Sequence, residues 1–565
     1  MLSRGALPLT VVEAPLQDPP PPAEGLFSPL KHGAFRGIWI ASLLSNLGGL
    51  IQGVGAAWIM TQLTTDAGLV AMVQSAQMGP VLLFAIAAGA IADMYDRRKV
   101  AMIAVAIAFA GATALAVVCL LGAVSPAVLL ISCLVIGSGN ALLWPAWQSS
   151  VSEQVPRETL PAAIALNSIS FNIARSFGPA IGGLIVAAFG GAAAFAATAF
   201  SYVPLFAMLF RWKRVQEPAR LPPEGMGRAI VSGVRYVFHS PPIRVVLIRT
   251  LATGLAGACL SALLPLVARE VLHGTAPTFG LLLGAFGIGA VCGAATINRL
   301  RKHFTPGVLS GAATLVVAAA TAVVGFSTSL PLTAGVLLFG GAGWMLCMNE
   351  YNVALQTYAP RWVAGRALAT FQAAIAGGMA IGAWGWGQVA HDVGVPMALK
   401  ISAALLAVLP LVWLGLRLAP RSDGVRDAID PPVELDVALA LTPRSGPIRI
   451  EIVYAVPPEQ ARGFYGVMQQ IRGVRSRSGG YGWSLSRDIA QPDVWLEAYS
   501  CPTWLDYLRQ RTRVSQHDRE LQAGLRDFLY PDAPITVRRW LERPFGSVRW
   551  KDDSPDRETP GIAPL

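Results

Sequence analysis

Gly89-Ala-Ile-Ala-Asp93-Met-Tyr95-Asp96-Arg97-Arg98-Lys99 interrupts two long apolar runs with a short burst of acid and base. The run before it, residues 68 to 92, and the run after it, 99 to 122, are each long enough to cross a hydrocarbon core, which takes about 20 helical residues. A charged break between two such runs reads as a tight loop at a membrane surface, so the fold question becomes how many crossings surround it.

Working outward, the chain to Leu418 divides at Gly, Pro and charge breaks into twelve apolar runs. In the first half they are 37 to 62, 68 to 92, 99 to 122, 126 to 149, 162 to 188 and 192 to 211. In the second they are 244 to 268, 276 to 298, 306 to 326, 331 to 356, 365 to 390 and 395 to 418. Of 565 residues 54% are hydrophobic and 14% charged, with a mean hydropathy of +0.52, which a soluble globule could not bury. The net charge of +11 does not point to nucleic acid, because much of the basic excess lies in short loops. Alternate loops hold Arg97, Arg98 and Lys99, then Arg157, then Arg211, Lys213 and Arg214, then Arg299, Arg301 and Lys302, then Arg361 and Arg366. The opposite loops have little beyond Arg269 and Lys400. Basic loops stay inside, so both termini are expected in the cytoplasm and the chain in a bacterial inner membrane.

The two halves share a register. Gly89, Arg97 and Arg98 fall 204 residues before Gly293, Arg301 and Lys302, and the same offset carries Pro156, Arg157, Gly178 and Gly183 onto Pro360, Arg361, Gly382 and Gly387. Parallel repeats of six helices predict an all-α membrane fold of two six-helix bundles with a site between them.

The loop that opened this account resembles the loop signature of the major facilitator superfamily. By that resemblance Gly89, Asp93, Arg97 and Arg98 form a gating loop that latches the bundles on the cytoplasmic side. An ordinary basic loop is the competing reading, Tyr95 and Asp96 depart from the family pattern, and the second copy carries Ile297 where an acid would sit, so a one-sided latch is expected. Gly178-Pro179-Ala-Ile-Gly182-Gly183 resembles the fifth-helix element of exporters in the same superfamily, which favours efflux over uptake. A plain packing motif would look alike.

Ser168, Asn172, Arg175 and Pro179 make one polar stripe with Arg175 near mid-membrane, where a charge normally faces a cavity or a partner. Asn46, Gln52, Gln74, Gln77, Asn140, Trp144 and Gln148 join Asn172 and Arg175 as substrate-cavity candidates in the first half, and Trp344, Tyr351 and Gln372 in the second. Each is also readable as packing. Glu350 is the proton-relay candidate, against the simpler role of a helix-end acid paired with a loop Arg. Cysteines 119, 133, 259, 292, 347 and 501 lack metal-type spacing, no Gly-x-x-x-x-Gly-Lys-Ser/Thr loop is present, and no cofactor or metal is expected.

Residues 1 to 36, rich in Pro, read as a disordered cytoplasmic leader, 212 to 243 as the interbundle loop and 419 to 446 as a linker. The bundles then occupy 37 to 211 and 244 to 418. Residues 447 to 545 read as β-α-β-β-α-β, a ferredoxin-like α+β domain, before a disordered tail at 546 to 565. Gly482-Trp483, Arg487-Asp488, Trp495-Leu-Glu497, Thr503-Trp504-Leu-Asp506 and Arg513 resemble the tail of transmembrane secretion effectors, relatives of the enterobactin exporters. That tail also resembles antibiotic-biosynthesis monooxygenase domains, which implies a homodimer through this domain and leaves a membrane-tethered oxygenase, or a non-transporting sensor, as alternatives. The expectation is a non-enzyme: proton-coupled export of a small amphiphilic molecule, siderophore or drug-like, through the lipid bilayer.

Overall fold

The computed structural model describes residues 27–156, 159–212, 226–360, 363–418, 437–439, 441–512, 516–531 and 533–542. Residues 1–26 of the leader, 419–436 of the linker and the tail at 546–565 lie outside them, as do Arg157, Lys213, Arg214, Arg361 and Arg513. Among the described residues eleven helices are long and apolar enough to cross a membrane. They are α1 (Gly33–Leu63), α2 (Ala67–Met94), α3 (Arg97–Leu120), α4 (Pro126–Ser150), α5 (Leu160–Arg211), α7 (Pro241–Leu266), α8 (Ala276–Leu300), α9 (Pro306–Phe326), α10 (Leu330–Tyr358), α11 (Ala364–Val393) and α12 (Val395–Val412).

The twelfth crossing is inside α5. Its 52 residues break at Gly190, whose φ of 79° is open to glycine and strained for other residues, so two crossings meet there. The sequence already marks the spot as Phe189-Gly190-Gly191. Helix starts are set locally: Asp66 accepts from the Gly68 amide to cap α2, Asp96 from the Arg98 and Lys99 amides to cap α3, and Ser125 from Val128 to cap α4. Large apolar side chains such as Leu83, Phe189, Phe200 and Phe339 stay exposed around the outside, as a lipid-facing girdle requires.

One helix was not anticipated. Within the segment read as an interbundle loop, α6 (Met226–His239) is strongly amphipathic. It buries Tyr236 and Val237 against Tyr351 and Tyr358 of α10 and Phe371 of α11, while Phe238 remains exposed.

The C-terminal domain runs β1 (Ile448–Ala455), α13 (Ala461–Arg477), β2 (Tyr481–Arg487), β3 (Val494–Cys501), α14 (Trp504–Thr512), α15 (Gln516–Ala523) and β4 (Thr536–Leu541). The antiparallel sheet has the order β2-β3-β1-β4, with Ile450 opposite Tyr499 on one side and Arg539 on the other. This is the β-α-β-β-α-β arrangement that the alternating Ile448-Arg-Ile450-Glu-Ile452 pattern predicts. The Ile face and Tyr454 pack on Phe464, Met468 and Ile471 of α13.

Candidate functional site

With an even number of crossings, α1 begins and α12 ends on one side, here the terminal side, and the loops α1–α2 and α11–α12 lie on the far side. The packing of the bundles differs between the two. On the far side a single buried core includes Val54 and Trp58 of α1, Val70 of α2, Leu263 of α7, Phe279 of α8 and Trp386 of α11, so both bundles share it. Trp58 stacks on Phe279 across the interface, with ring centroids 6.4 Å apart. Toward the terminal side the core divides: Ile38, Val105, Ile136 and Tyr202 cluster within the first bundle, and Val246, Cys347, Tyr351 and Phe371 within the second. The buried core is therefore shared between the bundles on the far side and divided toward the terminal side, while α2 and α11 stay in contact along their length, from Gly68 and Gly387 to Gly89 and Ala369.

Two glycine-lined seams join them. In α5, Gly178 and Gly182 lie on Leu50, Ile51 and Val54 of α1, inside their own bundle. Gly183 faces the other way, onto Ala276 and Gly280 of α8. In α11, Gly382 lies on Leu255 of α7 inside its own bundle, and Gly387 on Gly68 and Ala71 of α2 in the other. Residues 204 positions apart thus make matching contacts, and the repeat read from the sequence is a repeat of packing. Pro179 has its carbonyl against Gly280, so each element of the fifth-helix motif lies on a close helix approach.

The polar residues predicted for the cavity are spread over these helices. Arg175 places its guanidinium over the Phe286 ring of the opposite bundle, 5.9 Å from the centroid, and among the described residues it has no ion-pair partner. Trp144, partly exposed, meets Phe171 edge-on at 5.4 Å, and Gln148, one turn on, is exposed. Asn46, Gln74 and Gln77 are half-buried, and Gln372 is exposed on α11. Gln52 turns inward and donates to the Cys133 Sγ at 3.5 Å, with Gln77 beside the same thiol. Asn140 is directed at the Tyr202 hydroxyl. Trp344 lies across Gly257 of α7, and Tyr351 is fully buried within its bundle. The side chains of Asn172 and Asp93 lie outside those described.

At the terminal side each bundle has an arginine from the repeated loop paired with an acid near the end of α4 or α10. Arg97 donates to Glu153 at 2.9 Å. Arg301 donates to the buried Glu350 carboxylate at 2.7 Å and to Asn349 at 2.8 Å. Arg98 reaches the Leu209 and Phe210 carbonyls at the end of α5, a cation on a helix C-terminus. Gly89 approaches Ala369 of α11, and Ile297 is buried.

Sequence reasoning missed Arg249. It is almost fully buried on α7, donates to the Trp413 and Leu416 carbonyls beyond α12 and to Ser310, and stacks over Trp413 at 5.0 Å. An Arg followed by Thr250-Leu-Ala inside an apolar run is the same signal that marked Arg175.

The C-terminal domain holds a buried polar cluster of its own. Glu497 on β3 is fully buried and accepts from Tyr454 at 2.8 Å, Trp483 at 3.0 Å and Arg475 at 3.0 Å. Burial alone would lower the Arg475 pKa, but Tyr499 and Glu497 beside it outweigh that and raise it. Every oxygen of this carboxylate is engaged, so the cluster reads as a structural tie between α13 and the sheet.

The model of the transmembrane secretion effector family matches residues 24–545. The multidrug efflux pump Tap of Mycolicibacterium fortuitum is 28% identical over 403 residues, covering 68% of this chain and 95% of that protein. The enterobactin exporter EntS of Salmonella choleraesuis is 27% identical over 413 residues, covering 70% and 96%. Among solved structures, a bacterial homologue of the human lysosomal transporter Spinster superposes with a TM-score of 0.57 at 13% identity, covering 71% of this chain and all of that one.

Proposed function

The chain belongs to the transmembrane secretion effector family of major facilitator transporters, and from that premise we propose that it exports a small amphiphilic molecule, siderophore- or drug-like, across a bacterial inner membrane by alternating access coupled to protons. The observation that carries this reading is the asymmetry of the core, shared between bundles on the far side and divided toward the terminal side. In a two-bundle carrier that is the form accessible from one face only. With the basic loops inside, the terminal side is cytoplasmic and the described form is the one that loads cargo. Export is supported by the efflux and export activities for which the relatives are named and by the Gly178–Gly183 element on the α1 and α8 contacts.

Arg175, Trp144 and Gln148 are assigned the cargo. An arginine that has no ion-pair partner among the described residues and a partly exposed indole suit an anionic aromatic compound. Glu350 is assigned the proton, through exchange of its Arg301 contact. The C-terminal domain is read as regulatory or dimerising. Inverted vesicles energised by a pH gradient test this. Uptake of a catechol siderophore or an anionic aromatic dye, collapsed by an uncoupler, is the expected result. Gradient-independent binding with no accumulation across a broad panel would overturn it.

A further inference from the structure

On the far side a histidine–carboxylate contact crosses from one bundle to the other: the His391 Nδ1 lies 3.4 Å from an Asp66 carboxylate oxygen. Asp66 caps the first turn of α2, and His391 sits in the last turn of α11, so the pair spans the seam where Gly387 touches Gly68 and Ala71. Gln388, one turn before His391, brings its side-chain amide to the same corner beside Gly68. Both partners of the pair are substantially exposed, at 59% for His391 and 41% for Asp66, and so are open to protons from the far-side water.

Resting on the alternating-access reading, we propose that Asp66 and His391 form a proton-sensitive latch that holds the far side closed. The carboxylate is fixed by the Gly68 amide at 2.7 Å, so it cannot swing away when the bundles part. Only a protonated imidazole completes the attraction, so the contact is an ion pair in one protonation state and not in the other. The sign follows directly. Acid on the far side charges His391, favours the closed form and returns the carrier to its loading state. Raising the pH removes that cation and favours opening. At the far-side end of the other seam Gly183 meets Ala276 and Gly280, which carry no titratable group, whereas the α2–α11 corner carries the Asp66–His391 contact.

The other charged groups near this corner are few. Asp392 adjoins His391 on α11. Arg269, Glu270 and His273 lie just beyond α7, and Lys400 on α12 holds its ammonium over the Phe326 ring at 4.0 Å. The far-side ends of α1, α3, α4 and α5 bring no charge to it. Asp392 shares the sign of Asp66 and moves with His391, so it stabilises the imidazolium equally in both states and does not by itself distinguish them.

The test is a distance measured in the full chain in lipid nanodiscs, between labels at Leu121 and Thr328, exposed far-side positions on the two bundles. In the parent protein the short-distance population should grow about two- to fivefold relative to the long one between pH 8 and pH 5.5, the range of an exposed ion pair. Asp66→Asn keeps an N-cap of equal quality while deleting the charge, so it tests the latch without unpicking α2. It and His391→Gln should flatten the response, while His391→Arg should hold the short distance at both pH values. A pH response that survives in both neutral variants overturns the latch alone. A parent distance that changes with neither pH nor added dye overturns the latch and the alternating-access reading with it.

Discussion

Gly183 and Gly280 bring two helices of different bundles into backbone contact: a β-carbon built on Gly280 would lie 3.0 Å from the Gly183 α-carbon and 2.7 Å from the Pro179 carbonyl oxygen. No flexible side chain stands there to yield. The matching contact of Gly387 with Gly68 sits on the other seam, with a β-carbon on Gly387 3.0 Å from the Gly68 α-carbon. The alternating access proposed above needs surfaces that slide without interlocking, and glycine against glycine is such a surface.

Gly280→Val should therefore be costly beyond its helix propensity. Overpacking at a rigid contact destabilises by about 1–3 kcal/mol, and the seam must also part by the added bulk. Transport is expected to fall at least tenfold with a lowered melting temperature. Gly335→Ala on α10, where a β-carbon meets nothing within 4 Å, is the control and should leave both unchanged. Equal behaviour of the two variants would remove the seam from the mechanism.

The Arg301–Glu350 pair gives a second prediction. The Glu350 carboxylate is buried, and removing one member of such a pair costs about 3–5 kcal/mol by leaving the other charge uncompensated. Glu350→Gln should lose much of that stability, and Arg301→Met with Glu350→Leu should recover most of it. If Glu350 relays the proton, the stable double variant still exchanges cargo across vesicles but no longer accumulates it against a pH gradient. Gradient-driven accumulation that persists in the double variant would leave Glu350 a purely structural acid.

How much of this was legible beforehand depends on the length scale. Crossings, the ferredoxin-like strand order and the repeat are periodic features of the chain, and Gly178, Gly183, Gly382 and Gly387 carried the repeat because their contacts are backbone contacts that only glycine permits. The break at Gly190 was readable for the same reason. What escaped depends on partners far apart in sequence. Arg97 meets Glu153, and Arg249 meets the end of α12, through tertiary packing that no spacing announces. α6 was missed because its apolar residues are too few for a crossing, and its amphipathic period was read as loop. Gln52 and Tyr351 are cavity candidates by sequence, yet both side chains are buried within their own bundle.

In the C-terminal domain, Glu497→Gln should unfold the domain without displacing the membrane part. Arg475 would keep its buried position but lose its carboxylate, at a cost of about 3–5 kcal/mol, large beside the total stability of a small domain. Cys501 reports the outcome. Burial pushes its thiol up to about 12, with the Asp506 charge adding to the rise, so at neutral pH it should resist maleimide in the parent protein. Peptide mapping should find it labelled in Glu497→Gln. Unchanged protection would mean that the Tyr454 and Trp483 contacts hold the domain without the charge.

Arg175 is the sharpest test of the cargo site. Its guanidinium lies over Phe286 across the bundle interface, so it is both a cation near mid-membrane and one half of a contact between bundles. Arg175→Ala removes both, and export is expected to be lost while the protein remains inserted, because the α5 backbone packing through Gly178, Gly182 and Gly183 does not depend on that side chain. Arg175→Lys separates the two roles. It keeps the charge but gives up the planar stacking surface, so binding of an anionic cargo should persist with reduced affinity while the coupling of the bundles through Phe286 weakens. Affinity and turnover would then fall by different factors, read from equilibrium binding in nanodiscs and flux in vesicles. Export by Arg175→Ala at the parent rate would place the cargo elsewhere in the cleft and leave Arg175 a packing residue.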